Sequence, residues 1–246
     1  MLWFTIHGGF LLDRCSADAI TASFCFGDSL VDTGNNNYIV SLSKANYVPN
    51  GIDFPSSRPT GRYTNGRTIP DIIGQEMGLK SFTPPYLAPT TSGAVVLHGV
   101  NYASGGGGIL NHTGKIFGGR INLDAQIDNY ANTRNDIISS IGEARGVNLL
   151  RKSSLFSIVI GSNDFINNYL LTGFDVADSA CCYVAGRFGG LVPCGPPSKV
   201  CPDRSKFVFW DPYHPSDASN KIIASRLMDG DSNDVFPMNV RKLARF

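Results

Sequence analysis

The sequence predicts an α/β domain built on a parallel sheet with helices on both faces. Two observations carry this reading. Short apolar runs alternate with segments of helical period in the order strand, helix, strand, helix, strand. Each run stops at a polar or glycine-rich turn, and in such sheets ligands bind beyond the carboxyl ends of the strands.

The elements follow in chain order. Residues 1–22 read as a degenerate secretory leader or a disordered N-terminus. They are apolar but interrupted by His7, Gly8 and Gly9, and Ala17-Asp18-Ala19 offers a small-x-small cleavage site. Residues 23–246 read as one domain, a size that buries a real core. Ser23-Phe24-Cys25-Phe26 is a buried strand stopped by Gly27-Asp28-Ser29. Asn35-Asn36-Asn37 is loop-like, and the Pro-, Gly- and Asn-rich stretch 46–65 is a long surface loop. Pro70 suits the first turn of a helix whose apolar face is Ile69, Ile72, Ile73 and Met77, ended by Gly78. Val95 to Tyr102 reads as a second strand, broken by Ser104 and the run Gly105–Gly108. Leu123, Ile127 and Tyr130 mark an amphipathic helix, as do Ile137, Ile138 and Ile141. Ser154 to Ile160 is the clearest strand and ends at Gly161-Ser162-Asn163-Asp164. Ala218, Ile222, Ile223 and Leu227 form a last helical face, stopped by Gly230.

Composition narrows the function. The chain is 42% hydrophobic and 17% charged with a net charge of +1, so no basic face for nucleic acid is expected. No apolar run reaches the ~18 residues of a membrane-spanning helix. Four of the six cysteines, Cys181, Cys182, Cys194 and Cys201, cluster late in the chain. In a secreted chain they read as disulfides; zinc is the weaker reading, since no Cys-x-x-Cys pair is present. Asn111-His112-Thr113 is a glycan acceptor only in a secreted chain.

The three turns can carry ester hydrolysis. A serine hydroxyl is inert at neutral pH until a base takes its proton. Ser29 stands at a strand end, and Asp211-Pro212-Tyr213-His214 supplies a carboxylate and an imidazole three residues apart. In a turn Asp211 would hold one ring nitrogen of His214 while the other faces Ser29. The Ser29 N–H, a glycine N–H from 105–108 and the Asn163 amide would stabilise the oxyanion. Each element has a plainer reading: a helix cap for Ser29, a flexible turn for the glycines, a cap for Asn163, a surface histidine for His214. Their conjunction, in this order on three strand ends, outweighs those readings.

These residues resemble the motifs of plant GDSL (SGNH) lipases and esterases. Phe26-Gly27-Asp28-Ser29-Leu30 through Asn36 resembles the opening motif, and Gly61-Arg62-Tyr63-Thr64-Asn65-Gly66-Arg67 the next signature. Val100 to Gly106, Gly161 to Phe165 and Phe209 to Ser216 resemble the remaining ones. The resemblance implies a flavodoxin-like three-layer α/β/α fold with a mostly parallel sheet. It implies Ser29 as nucleophile, Asp211 and His214 as its partners, and Ser29, Gly106 (or Gly105) and Asn163 as oxyanion donors. It implies no metal, no cofactor, an ester substrate of lipid or other acyl type, and secretion. An acyltransferase would use the same triad. One departure stands out: Tyr169-Leu170 runs almost directly into Leu171-Thr172-Gly173, where the family carries about a hundred residues more, counted at 30 or more per βαβ unit. Loss of the last two strands near 170–172 predicts an exposed edge prone to self-association. It also predicts that the loop of Asp211 and His214 loses its anchor, which would leave an inactive isoform.

Overall fold

The computed structural model describes residues 20–165, 179–184, 193–232 and 234–245. Most of the 1–22 reading and the 170–172 junction therefore lie outside the described residues; Ala22 already heads the first strand. β1 (Ala22–Gly27) is buried along its whole length. It runs parallel to β2 (Ser154–Val159), in register from Ala22 opposite Ser154 to Gly27 opposite Val159. On its other edge Cys25 N–H donates to Val100 O, Tyr102 N–H to Cys25 O and Ser104 N–H to Gly27 O. β1 is thus the middle of a parallel array, as its apolar run requires.

The second expected strand is shorter than Val95–Tyr102. Gly93–His98 forms a 3-10 turn that buries Val96, and only the residues after Gly99 lie extended beside β1. Gly99 sets the switch. Its φ is +107°, and a Cβ there would stand 1.8 Å from Ser23 O, so the strand must begin beyond it.

Helices cover both faces. α1 (Ile69–Glu76) starts at a capping box between Thr68 and Asp71, with Pro in its first turn. α2 (Leu123–Ile141) and α3 (Glu143–Lys152) are separate helices, divided by Gly142 at φ +85°. α4 is the single turn Ser162–Phe165, and α5 (Asp217–Asp229) is capped by Ser216. Phe24, Phe26, Val100 and Tyr102 pack with Ile137 and Tyr130 of α2 on one face. Ile69, Ile72 and Ile73 of α1 meet Ala224, Leu227 and Met228 of α5, with Leu155 of β2, on the other. Ile222, expected on the buried face of α5, is exposed; Ala224 takes that place, since Ala224 and Leu227 line up with α1 and Ile222 does not. β3 (Cys182–Tyr183) and β4 (Lys199–Val200) pair antiparallel in a stretch where no strand was expected, and α6 (Val240–Leu243) closes the chain.

The loop of residues 46–65 is tied down by charge. Arg62 donates through Nε and Nη2 to the two carboxylate oxygens of Asp71, at 2.7 and 2.8 Å, and both side chains are buried. Its guanidinium also lies 4.7 Å from the Phe54 ring centroid. Removing one member of such a pair strands the other charge out of water. Arg62→Met should therefore cost about 3–5 kcal/mol in denaturant unfolding, while Asp71→Asn with Arg62→Met together should recover part of it. A cost near zero for the single change would show that the pair does not hold the loop.

Candidate active site

β1 delivers Ser29. Asp28 N–H still reaches Val159 O, and the chain then turns as Leu30 N–H bonds Asp28 Oδ1 and Val31 N–H bonds Asp28 O. Ser29 is left half-buried at the end of the sheet. Its Oγ lies 2.8 Å from His214 Nε2. His214 Nδ1 lies 2.7 Å from Asp211 Oδ1 and 2.9 Å from Oδ2. Asp211 and His214 are both buried, so their contact is shielded from water. The two segments, 185 residues apart from Ser29 to His214, meet at this contact.

The loop that carries Asp211 and His214 has an anchor, contrary to the expectation from the shortened scaffold. Cys181–Cys201 and Cys182–Cys194 are disulfides, which resolves the pairing. Cys181 N–H donates to Phe209 O, Cys182 N–H to Trp210 O and Cys194 N–H to Asp211 Oδ2. Trp210 is fully buried among these cysteines and donates its Nε1–H to Asn50 Oδ1 at 2.8 Å. Asp211 Oδ1 also accepts the N–H groups of Tyr213 and His214, both at 2.9 Å. A carboxylate so surrounded by donors has one available orientation.

The residues expected to donate to the oxyanion sit on neighbouring turns. Asn163 Nδ2 donates to Gly107 O at 2.9 Å, which sets its amide against the glycine turn. Asp164 grips the same turn from below, accepting from Ile109 N–H, Leu110 N–H and Thr113 Oγ. Within the run, Gly105 N–H is taken by Asp32 Oδ2, Gly107 N–H by Ser104 O and Gly108 N–H by Asn122 Oδ1. Among the described residues, the N–H groups of Gly106 and Ser29 have no acceptor. Of the two glycines left open by the sequence, Gly106 is the one with a donor to offer. Its φ of +78° suits glycine, and a Cβ there would meet Phe117 at 2.6 Å.

Three supporting residues escaped the sequence reading. Gln126 of α2 accepts Gly27 N–H and donates to Gly27 O, so its amide brackets the end of β1 as a neighbouring strand would. Tyr63, from the Gly61–Arg67 motif, lays its ring 5.1 Å from the His214 imidazole. Asn36 holds the carbonyl of Gly105. Asn36 and Tyr63 lie inside motifs legible in the sequence, but none of the three roles has a local signature, because each acts on a partner distant in sequence. A cleft of about 450 Å³ lined by Asp53, Arg67, Arg204, Asp217 and Lys221 includes none of the triad, and its charges are paired with one another.

Two buried carboxyls, Asp28 and Asp32, lie close to Ser29 in sequence. Burial raises Asp28 from 3.8 to about 6, against the lowering effect of the Leu30 N–H and the nearby His214. Burial likewise raises Asp32 to about 6, against the N–H groups of Gly34, Gly105 and Asn35. Between pH 4 and 6 the native state then holds more protons at these groups than the unfolded chain does. Their stabilising contribution is full below pH 4 and lost as pH rises through 6. Asp28→Asn removes one of the two. The variant should therefore gain stability relative to the parent as pH rises from 4 to 6, in thermal unfolding across that range. Parallel curves would show that Asp28 does not titrate there.

Residues 24–184 match the family model of the GDSL-like Lipase/Acylhydrolase. A GDSL esterase/lipase of Arabidopsis thaliana is 44% identical, over 92% of this chain and 91% of its own length. Two more from the same plant are 38% and 36% identical, covering 92% and 90% of this chain and 91% and 87% of their own. The first alignment extends over 338 residues, more than the 246 of this chain, so it opens a long gap in the present sequence. With an α/β scaffold, helices on both faces and these matches, the chain belongs to the GDSL-like lipase/acylhydrolase family of carboxylic ester hydrolases.

Proposed function

We propose that this chain hydrolyses lipid or other acyl esters through an acyl-Ser29 intermediate. The observation that carries the reading is the unbroken contact from Asp211 through His214 to Ser29. His214 Nε2 takes the Ser29 proton as Oγ attacks the ester carbonyl carbon. The carbonyl oxygen gathers negative charge and is met by the N–H groups of Ser29 and Gly106 and by the Asn163 amide. His214 returns the proton to the leaving alcohol. Water, activated by the same nitrogen, then releases the acid. Half-exposed Ile109 and Leu110 border the glycine turn and favour an apolar acyl group.

The gap relative to the relatives fits the 170–172 junction, where Tyr169-Leu170 runs almost directly into Leu171-Thr172-Gly173. The two disulfides favour an oxidising compartment, and hence secretion. Among the described residues no helix is long and apolar enough to cross a membrane. β2 pairs only with β1 among the described residues, and Phe156 and Ile158 are each more than a third exposed, which favours self-association at that edge.

The test is covalent. Purified protein treated with a fluorescent alkyl phosphonofluoridate should take up about one label per chain, and Ser29→Ala none. No label on the parent would mean an inactive isoform and sink the proposal. Ester turnover that rises with added alcohol, with alkyl ester as product, would identify an acyltransferase instead.

A further inference from the structure

Asn36 sits in a 3-10 turn (Asn35–Tyr38), 1% exposed, and touches none of the triad directly. Its amide hydrogens reach Gly105 O at 2.8 Å and Ser43 O at 2.7 Å. Its Oδ1 accepts the Ser104 hydroxyl at 2.6 Å, and that hydroxyl oxygen accepts Ile121 N–H at 2.9 Å. The Gly105 carbonyl and the Gly106 N–H belong to one planar trans peptide unit, pointing in opposite directions. Whatever holds the carbonyl therefore aims the N–H. Asp32 fixes the preceding peptide by accepting Gly105 N–H, so Gly105 is held on both sides.

We propose that Asn36 is a positioning residue of the oxyanion site: through Gly105 O it fixes the peptide plane that presents the Gly106 N–H. The inference rests on the reading of Gly106 as an oxyanion donor. The grip has an electronic side too. Ile121 N–H, Ser104 Oγ–H, the Asn36 amide and the Gly105–Gly106 peptide form a head-to-tail chain of donors and acceptors. Such chains polarise their members cooperatively, so the last N–H becomes a stronger donor to a developing negative charge. A free glycine peptide at positive φ could rotate its N–H away; this one is pinned in advance of substrate.

The experiment compares Asn36→Ala with Asn35→Ala. Asn35 is an equally buried amide that holds the Asn101 and Ala103 carbonyls and not Gly105. Rates on a p-nitrophenyl ester are referred to active sites titrated with a phosphonate, so unfolded protein does not count. Asn36→Ala should lower kcat per titrated site by about 10²-fold with KM little changed, and weaken a boronate transition-state analogue in parallel. Asn35→Ala should lower Tm and leave kcat per site unchanged. If Asn36→Ala does not fold, Ser104→Ala tests the same chain from its far end and should lower kcat per site several-fold. Parent turnover that is lost in Ser29→Ala, together with kcat per site within about twofold of the parent in Asn36→Ala, or in Ser104→Ala where that variant stands in, would overturn the positioning role and leave the esterase reading standing. A parent without Ser29-dependent turnover would overturn both.

Discussion

Ser29→Ala and His214→Ala should each lower kcat on an activated ester by on the order of 10⁶, and Asp211→Asn by about 10⁴. The ranking follows from the geometry. Without Oγ there is no acyl-enzyme, and without Nε2 the Ser29 proton has no acceptor. The two act as one unit, so the double variant should be no slower than either single one. Asp211→Asn is more particular. Its Oδ1 faces three donors, namely His214 Nδ1 and the N–H groups of Tyr213 and His214. Its Oδ2 faces His214 Nδ1 and Cys194 N–H. The asparagine oxygen must take the first place, which leaves its NH₂ against Cys194 N–H and beside Nδ1. An NH₂ there donates to Nδ1, moves the ring proton to Nε2 and leaves no base for Ser29. Steady-state rates normalised by titration check the series. An Asp211→Asn variant within tenfold of the parent would show that the carboxylate does not set the tautomer.

What could be read from the sequence was whatever depends on local pattern. β1 and β2 are short, mostly apolar runs, and α1 carries both a cap and a proline. The Asp211–His214 spacing and the three turn motifs are short-range too. The failures share one cause, which is that tertiary partners overrode the pattern. Val95 and Val96 looked like strand until the approach of Gly99 to Ser23 made an extended path impossible. α3 holds Gly146 and little apolar surface, and its helix is legible only beside β2 and α2. Gly106 and Gly105 could not be separated until Asp32 was seen to occupy the Gly105 N–H. The anchor of the loop that carries Asp211 and His214 was invisible for the same reason. It depends on which cysteine meets which, and on an asparagine at position 50 reaching a tryptophan at 210.

That anchor carries the second large effect. Trp210→Ala should destabilise the protein by about 3–5 kcal/mol, since the side chain is wholly buried and the cysteines around it are cross-linked and cannot collapse into the space. It also strands Asn50 Oδ1, whose partner is the indole N–H. Domains of this kind are stable by roughly 5–15 kcal/mol, so the change uses much of that margin. Activity should fall as well, because Trp210 N–H bonds His214 O and its carbonyl bonds Cys182 N–H, directly beside Asp211. A shift of about 1 Å in that loop is worth ~10²-fold in rate. Trp210→Phe separates the two effects: it keeps an aromatic six-membered ring in the site and loses the indole N–H with the rest of the fused ring. It should cost about 1–3 kcal/mol and leave kcat per titrated site near that of the parent. Urea unfolding read beside titrated turnover decides the matter. If Trp210→Ala unfolds at the parent's midpoint, the cysteine cluster is not what holds Asp211 and His214 against Ser29. The support must then come from the ring of Tyr63 and the N-terminal turn of α5.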